Sequence, residues 1–244
     1  MLCAIRQRNR QRVAAWDQRR SDGPFSCPLC LEETILKKGT TRVHHFAHKS
    51  PITCEYGRGE TERHRECKLT IYEELRRHGR FQNVEIERTM ETVRPDVSGF
   101  MAGIPFAIEV QISALTMEQI VYRTSEYAKK GIYVLWLALY QPALEESRYS
   151  PRAWERWVHA AYFGRVYYWV QGLAAIPFHL AECIEFVESC GYRKLFKRFR
   201  VPKKGRPVSL ADSFIPRHRA VEWRSRRLVV PESRLLIDTQ RIWW

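Results

Sequence analysis

Residues 132–139, IYVLWLAL, form a continuous apolar run directly after Gly131. The run reads as a strand buried on both faces, since neither side offers a polar edge to water. Such a strand needs cover above and below, which commits the chain to layers of helix and sheet. The segments around it supply those layers. Residues 60–77 read as a helix ending near Gly79, and residues 83–90 as a strand with Val84 and Ile86 alternating against Glu85 and Glu87. Residues 94–111, RPDVSGFMAGIPFAIEVQ, read as two short strands in a hairpin, and 116–130 as a helix closed by Gly131. The expected order over residues 60–140 is helix, strand, strand, strand, helix, strand. That is an α/β fold with a meander, a crossover helix and a central fourth strand.

Beyond this core, Pro151 opens a helix over 152–162, and 165–170 with 173–179 form a hairpin around Gln171-Gly172. A short helix is expected at 182–189, and Trp154, Trp157 and Trp169 are expected to pack rather than stack on bases. Residues 1–20 do not distinguish helix from strand.

The hairpin carries the chemistry. On its second strand Glu109 and Gln111 point the same way, opposite Phe106, Ile108 and Val110. Asp96 comes from the first strand, and two carboxylates so placed can hold a hard divalent cation. A neighbouring amide or amine can then orient water towards a phosphate, which points to a metal-dependent nuclease. Glu60, His64 and Lys68 share one helical stripe. That stripe either faces the same cleft or forms an exposed row of ordinary charge pairs. Arg123 and Tyr127 lie one turn apart on the second helix.

Towards the N-terminus, Cys27 and Cys30 in FSCPLC have zinc-knuckle spacing, and His45 and His48 in HHFAH can complete four ligands. His44 and Cys54 are alternative members of that set. Zinc there would staple a segment too small for a core of its own.

The net charge of +14 is concentrated at the two ends. Residues 1–20 carry a net +5 and residues 193–227 a net +11, while 21–192 sum to −2. Flanking basic segments around a near-neutral body suit a polyanion such as DNA. In the second of them Arg193, Lys194, Lys197, Arg198, Arg200, Lys203, Lys204 and Arg206 are interleaved with Leu195, Phe196 and Phe199. This fits phosphate contacts with some stacking, or equally a basic amphipathic helix docking elsewhere. Seven cysteines without a secretory signal argue against a disulfide framework and for the cytoplasm, and no apolar run is long enough to span a membrane.

FSCPLC (25–30), HHFAH (44–48), GETERHRECK (59–68), RPDV (94–97), AIEVQIS (107–113), RTSEY (123–127) and VLWLAL (134–139) occur together in this order. In this the chain resembles the competence protein CoiA-like nucleases, a branch of the PD-(D/E)XK, restriction-endonuclease-like superfamily. The resemblance implies a core in which Asp96 and Glu109 bind Mg²⁺ or Mn²⁺, with Glu60 as a helix-borne acidic ligand. Gln111 stands where most of the superfamily has a catalytic lysine. His64 and Lys68 would lie alongside, Lys68 supplying the missing charge, and Arg123 and Tyr127 would contact phosphate or support the site. The implied role is DNA processing in transformation or recombination, with recombination proteins as partners.

The expected organisation is a basic segment at 1–24, a zinc module at 25–56, the nuclease core at 57–140, an extension at 141–192 and a basic segment at 193–244. Two rival readings are a DNA-binding accessory protein without turnover and a zinc-stapled protein-interaction module.

Overall fold

The chain begins as sheet. β1 (Cys3–Arg6), β2 (Gln11–Ala14), β3 (Phe25–Ser26), β4 (Glu33–Lys37) and β5 (His45–His48) form an antiparallel sheet in the order β2-β1-β3-β4-β5. The structure, a computed structural model, describes residues 1–50, 54, 60–111, 115–190, 193–225 and 228–241, with the backbone alone for 187–190 and 193–197. This first sheet has a core of its own, in which Phe25, Leu36 and Phe46 close over Cys27 and Cys54. The Phe25 and Phe46 rings lie 5.0 Å apart. Apolar area in so small a core is limited, so the cluster of sulfurs beside it matters for its stability.

α1 (Glu62–Arg77), β6 (Phe81–Ile86), β7 (Val97–Met101), β8 (Ile104–Gln111), α2 (Met117–Lys129) and β9 (Tyr133–Leu139) follow. Thr61 caps α1 by accepting the His64 N–H at 3.3 Å. Thr116 caps α2 by accepting the Gln119 N–H at 3.2 Å, and the Gln119 side chain bonds back to Thr116. Each cap satisfies donors that the first turn leaves without helical partners. α1 buries Cys67, Lys68, Ile71 and Leu75, and α2 buries Ile120, Thr124 and Tyr127, both at helical spacing. Ala102 and Gly103 join β7 to β8 with φ of 49° and 81°. Both are left-handed, as a two-residue hairpin turn of matching twist requires. Gly99 has its own reason: a Cβ there would stand 2.9 Å from the Gln82 carbonyl on β6.

α3 (Ala153–Ala161), β10 (Val166–Gln171), β11 (Ala174–Cys190), β12 (Arg193–Lys204), β13 (Val208–Ser209), β14 (Phe214–Arg219), β15 (Trp223–Arg224), β16 (Val229–Val230) and β17 (Ser233–Asp238) complete the chain. The main sheet runs β12-β11-β10-β9-β8-β7-β6. β9 lies parallel to both β8 and β10, and the outer pairs are antiparallel. Every residue of β9 from Val134 to Ala138 is buried, which is why that stretch has no polar alternation. Trp154, Trp157 and Trp169 are buried as packing residues.

Two expectations are corrected here. No helix forms over 182–189: β11 continues to Cys190, paired with β12 from Phe178↔Lys204 to Cys190↔Arg193. A short segment mixing charged and apolar residues fits either period, and a distant partner strand decided it. Nor do residues 193–204 form the amphipathic helix that was one alternative for the basic segment; they are β12. β12 extends the main sheet, β17 pairs in parallel with β9 at Leu235↔Val134, and Arg80 donates to the Ala211 carbonyl at 2.8 Å. Among the described residues no helix is long and apolar enough to cross a membrane.

Candidate functional site

Val97 on β7 pairs with Ile108 on β8, so Asp96 arrives opposite Glu109 where the ladder ends. Asp96 Oδ2 accepts the Val110 N–H at 2.8 Å, which ties the first acid to the strand bearing the second. From α1, His64 Nε2 stands 3.4 Å from Asp96 Oδ2 and Lys68 Nζ 3.3 Å from Oδ1. From α2, the Arg123 guanidinium and the Tyr127 hydroxyl both donate to Glu109 Oε1. The two acids thus sit between polar groups of both helices. One stripe of α1 faces inward, and it is not an exposed row of charge pairs.

Lys68 is the hub. Its side chain is 2 % exposed and its ammonium meets Glu60, Glu87 at 2.5 Å and Asp96. Burial works against that charge, but Glu87, Asp96 and Glu60 outweigh it and hold the Lys68 pKa well above the ordinary lysine value. The acids divide. Burial alone would raise Asp96, yet the Lys68 and His64 charges hold its carboxyl far below the usual range. Glu109 goes the other way: burial, reinforced by the Asp96 charge and only partly offset by Arg123, pushes its carboxyl up to about 7. Two neighbouring acids are thus driven apart, as burial and unlike partners do at functional sites.

Several expected roles move. Glu60 shares the Lys68 ammonium with Asp96. Its Oε1 is held by Lys68 and its Oε2 lies 2.6 Å from the Met1 nitrogen, so burial is outweighed and its pKa falls to about 2. Tyr127 is wholly buried with its hydroxyl on Glu109, so it positions that acid and offers nothing to a polyanion. Arg123 is partly exposed, and its guanidinium lies over the Trp136 ring at 5.3 Å. Glu87 was missed from the sequence, where it falls on the outward positions of a strand. The strand instead stops at Ile86, and Glu87 turns inward with φ of 52°, accepting N–H groups from Leu2 and Cys3. Nothing in the local pattern announces that turn.

Gln111, at the end of β8, lines a cleft of about 170 Å³ with Thr61, Arg63, Arg152 and Gln141. Arg63 and Arg152 are two further basic groups that the sequence did not single out. Of the C-terminal basic residues, Arg198 and Arg200 share one face of β12 with Lys204, and Lys203 is on the other. Lys204 is already paired with Glu145 at 2.7 Å. Lys203 and Arg206 are exposed. The side chains of Arg193, Lys194 and Lys197 lie outside the described residues.

The second cluster is Cys27, Cys30, His48 and Cys54, whose ligand atoms all lie within 4.8 Å of one another. Cys27 Sγ is 3.9 Å from Cys54 Sγ, and Cys30 Sγ is 3.4 Å from His48 Nε2. Four ligands held about 2.3 Å from a tetrahedral zinc would stand roughly 3.7 Å apart, so the donors fit. His45, expected as a ligand, instead turns its Nδ1 to the Val43 carbonyl at 2.9 Å, and Cys54 takes the fourth position. Adjacent strand positions alternate, which leaves room for only some of the histidines of HHFAH on one side. Burial pushes the Cys27 thiol up to about 12, so a thiolate there needs a cation beside it. Cys54→Ser should therefore reduce bound zinc to a small fraction of the wild-type level, whereas His45→Ala should leave it unchanged. Metal analysis of the purified proteins checks both.

Two family models match the chain. One, described as the competence protein CoiA N-terminal domain, covers residues 6–57, and one described as the competence protein CoiA nuclease-like domain covers 60–156. No curated protein and no solved structure matches. The zinc-ligand cluster falls in the first matched stretch and the paired acids in the second.

Proposed function

Because the chain belongs to the competence protein CoiA family, we propose that it is a divalent-metal-dependent nuclease that hydrolyses phosphodiester bonds in DNA, on a restriction-endonuclease-like core. The observation that carries this reading is Asp96 opposite Glu109, with Glu109 raised to about 7 by burial and by its neighbour's charge. Magnesium is commonly held by one or two carboxylates and completes its shell with water and substrate phosphate. Asp96 and Glu109 fit that role for Mg²⁺ or Mn²⁺. Glu60, bonded to Lys68 and the Met1 nitrogen, serves to hold Lys68 in place beside Asp96. A cation held there supplies positive charge to the scissile phosphate and to the departing oxygen.

The chain's own groups do the rest. Lys68 favours the ionised form of Asp96, the form that ligates a cation. Arg123 and Tyr127 fix the Glu109 carboxylate in one orientation. Gln111 is neutral and donates no charge; it shares its strand face with Glu109, and its amide orients the attacking water. Arg63 and Arg152 at the cleft take the phosphates flanking the cut. The Cys27–Cys30–His48–Cys54 group is structural, since four protein ligands leave no open position.

The test is cleavage of end-labelled single-stranded, duplex and branched DNA with Mg²⁺ or Mn²⁺. Products are expected with either cation and not in its absence. No product on any substrate would leave a DNA-handling protein without turnover.

A further inference from the structure

Glu87 reaches the paired acids from behind. It follows β6 directly, and its side chain is 0 % exposed. Its backbone N–H donates to the Asp96 carbonyl at 2.9 Å, which ties together the two residues bracketing 88–95. Its Oε1 lies 2.5 Å from Lys68 Nζ. Its Oε2 accepts the N–H of Leu2 at 2.8 Å and of Cys3 at 3.1 Å, and the Arg94 guanidinium stands 3.5 Å away. Two backbone donors at the start of the first sheet therefore fix this carboxylate where the turn at Glu87 delivers it.

The contacts around Lys68 are unequal. Its ammonium is 2.5 Å from Glu87 and in direct contact with Glu60, but 3.3 Å from Asp96 Oδ1. Attraction between charges falls with separation, so the two glutamates hold the ammonium more tightly than Asp96 does. That inequality matters to a cation that has to share Asp96. An ammonium paired with Asp96 alone would close to about 2.8 Å, the usual length of a charge-assisted bond. Its charge would then meet an incoming divalent ion with no acid behind it as an offset. With Glu60 and Glu87 behind, Lys68 favours the ionised form of Asp96 without closing on it.

We propose that Glu87 is a positioning residue of the metal centre: with Glu60 it draws the Lys68 ammonium back from Asp96 and so leaves that carboxylate to a divalent cation. This deepens the nuclease reading and rests on it for the cation. Glu87 acts through Lys68, and Leu2 and Cys3 make the first sheet part of the support for the centre.

The experiment titrates Mn²⁺ into zinc-loaded, full-length protein and reads the free ion by electron paramagnetic resonance, so binding is measured apart from cleavage. Glu87→Gln keeps the size of the side chain and an oxygen for the Leu2 and Cys3 donors, and removes the charge. Its Mn²⁺ dissociation constant should rise by about tenfold or more, as when groups supporting a metal ligand are altered elsewhere. Glu87→Asp keeps the charge one methylene further off. Coulomb attraction falls only as the inverse of distance, so its constant should stay within about threefold of the wild-type value. A side chain that merely packs would give the opposite order. DNA cleavage by Glu87→Gln should fall behind the wild type at low Mn²⁺ and approach it at saturation. Circular dichroism checks that each chain is folded at the temperature of the titration.

Unchanged Mn²⁺ affinity in Glu87→Gln, or a loss of about tenfold in Glu87→Asp, would overturn the role of Glu87. The aspartate result decides even where the glutamine chain does not fold. Glu109→Gln is titrated in parallel. Mn²⁺ bound equally with and without that change would place the ion elsewhere and remove the metal centre together with its positioning residue.

Discussion

Glu109→Gln is expected to lower metal-dependent DNA cleavage by at least about 10³-fold, because charge stabilisation by a bound cation is worth several kcal/mol. The substitution keeps the size of the side chain and an oxygen for the Arg123 and Tyr127 donors, and removes only the negative charge. It should not cost stability. The Glu109 carboxyl is raised from 4.5 to about 7 by burial, so between those values the folded chain holds its proton more tightly than the unfolded chain. The contribution of Glu109 to stability therefore falls as pH rises through that window and stays low above it. A neutral glutamine avoids this loss, and thermal unfolding of the metal-free variant at pH 8 should be no lower than that of the wild type. Bound zinc should also be unchanged, since the Cys27 cluster is built from Cys30, His48 and Cys54 and not from this side chain. Cleavage within tenfold of the wild-type rate would remove Glu109 from the proposed centre.

Lys68→Met carries the largest expected effect on the fold, a loss of about 3–5 kcal/mol. Methionine fills a similar volume, so packing is nearly kept, but the ammonium that answers Glu60, Glu87 and Asp96 disappears. The three acids then keep only weaker or more distant support, Met1 and Arg65 beside Glu60, Arg94 beside Glu87 and His64 beside Asp96, and must protonate in part or let water in. The sign with pH follows from the acids. Glu60 is lowered to about 2, and Asp96 further, so their ionised forms favour the folded state at any pH above the ordinary carboxylate range. That advantage is lost as pH falls below about 4.5 towards the lowered values. The stability gap between wild type and Lys68→Met should accordingly be widest near neutrality and narrow in acid. Urea titrations at pH 7 and pH 4 read both quantities, and equal gaps at the two values would contradict the hub.

Glu109 and Lys68 also show how differently two site residues can be written into a sequence. Glu109 is legible because a strand alternates, and a polar position among Phe106, Ile108 and Val110 has to face away from them. Its partner Asp96 is legible because a hairpin brings the two strands together. Lys68 is visible only as a member of a stripe, and spacing gives a stripe no direction. Whether it looked out to water or in towards acids was decided by the packing of α1 on the sheet. Glu87 is the extreme case, invisible until the chain turns at Ile86.

The zinc ligands divide along the same line. Cys27 and Cys30 are three positions apart across a turn, so local geometry alone points them together. His48 or His45, and Cys54 or neither, is a matter of which strand face meets that turn, and β3, β4 and β5 settle it by their pairing.

By itself, the sequence determined what local periodicity and caps determine: both core helices, the second with Thr116 at its start, the hairpin of the paired acids, and β9 as a strand without a wet side. Those follow from forces acting over a few residues, where side-chain alternation and backbone donors leave few options. Only the tertiary structure decided that Lys68 holds three acids, that Cys54 displaces His45, and that the basic C-terminal segment is sheet. Each of those depends on a partner far away in the chain, and the free energy of burying a charge or completing a ladder is set by that partner.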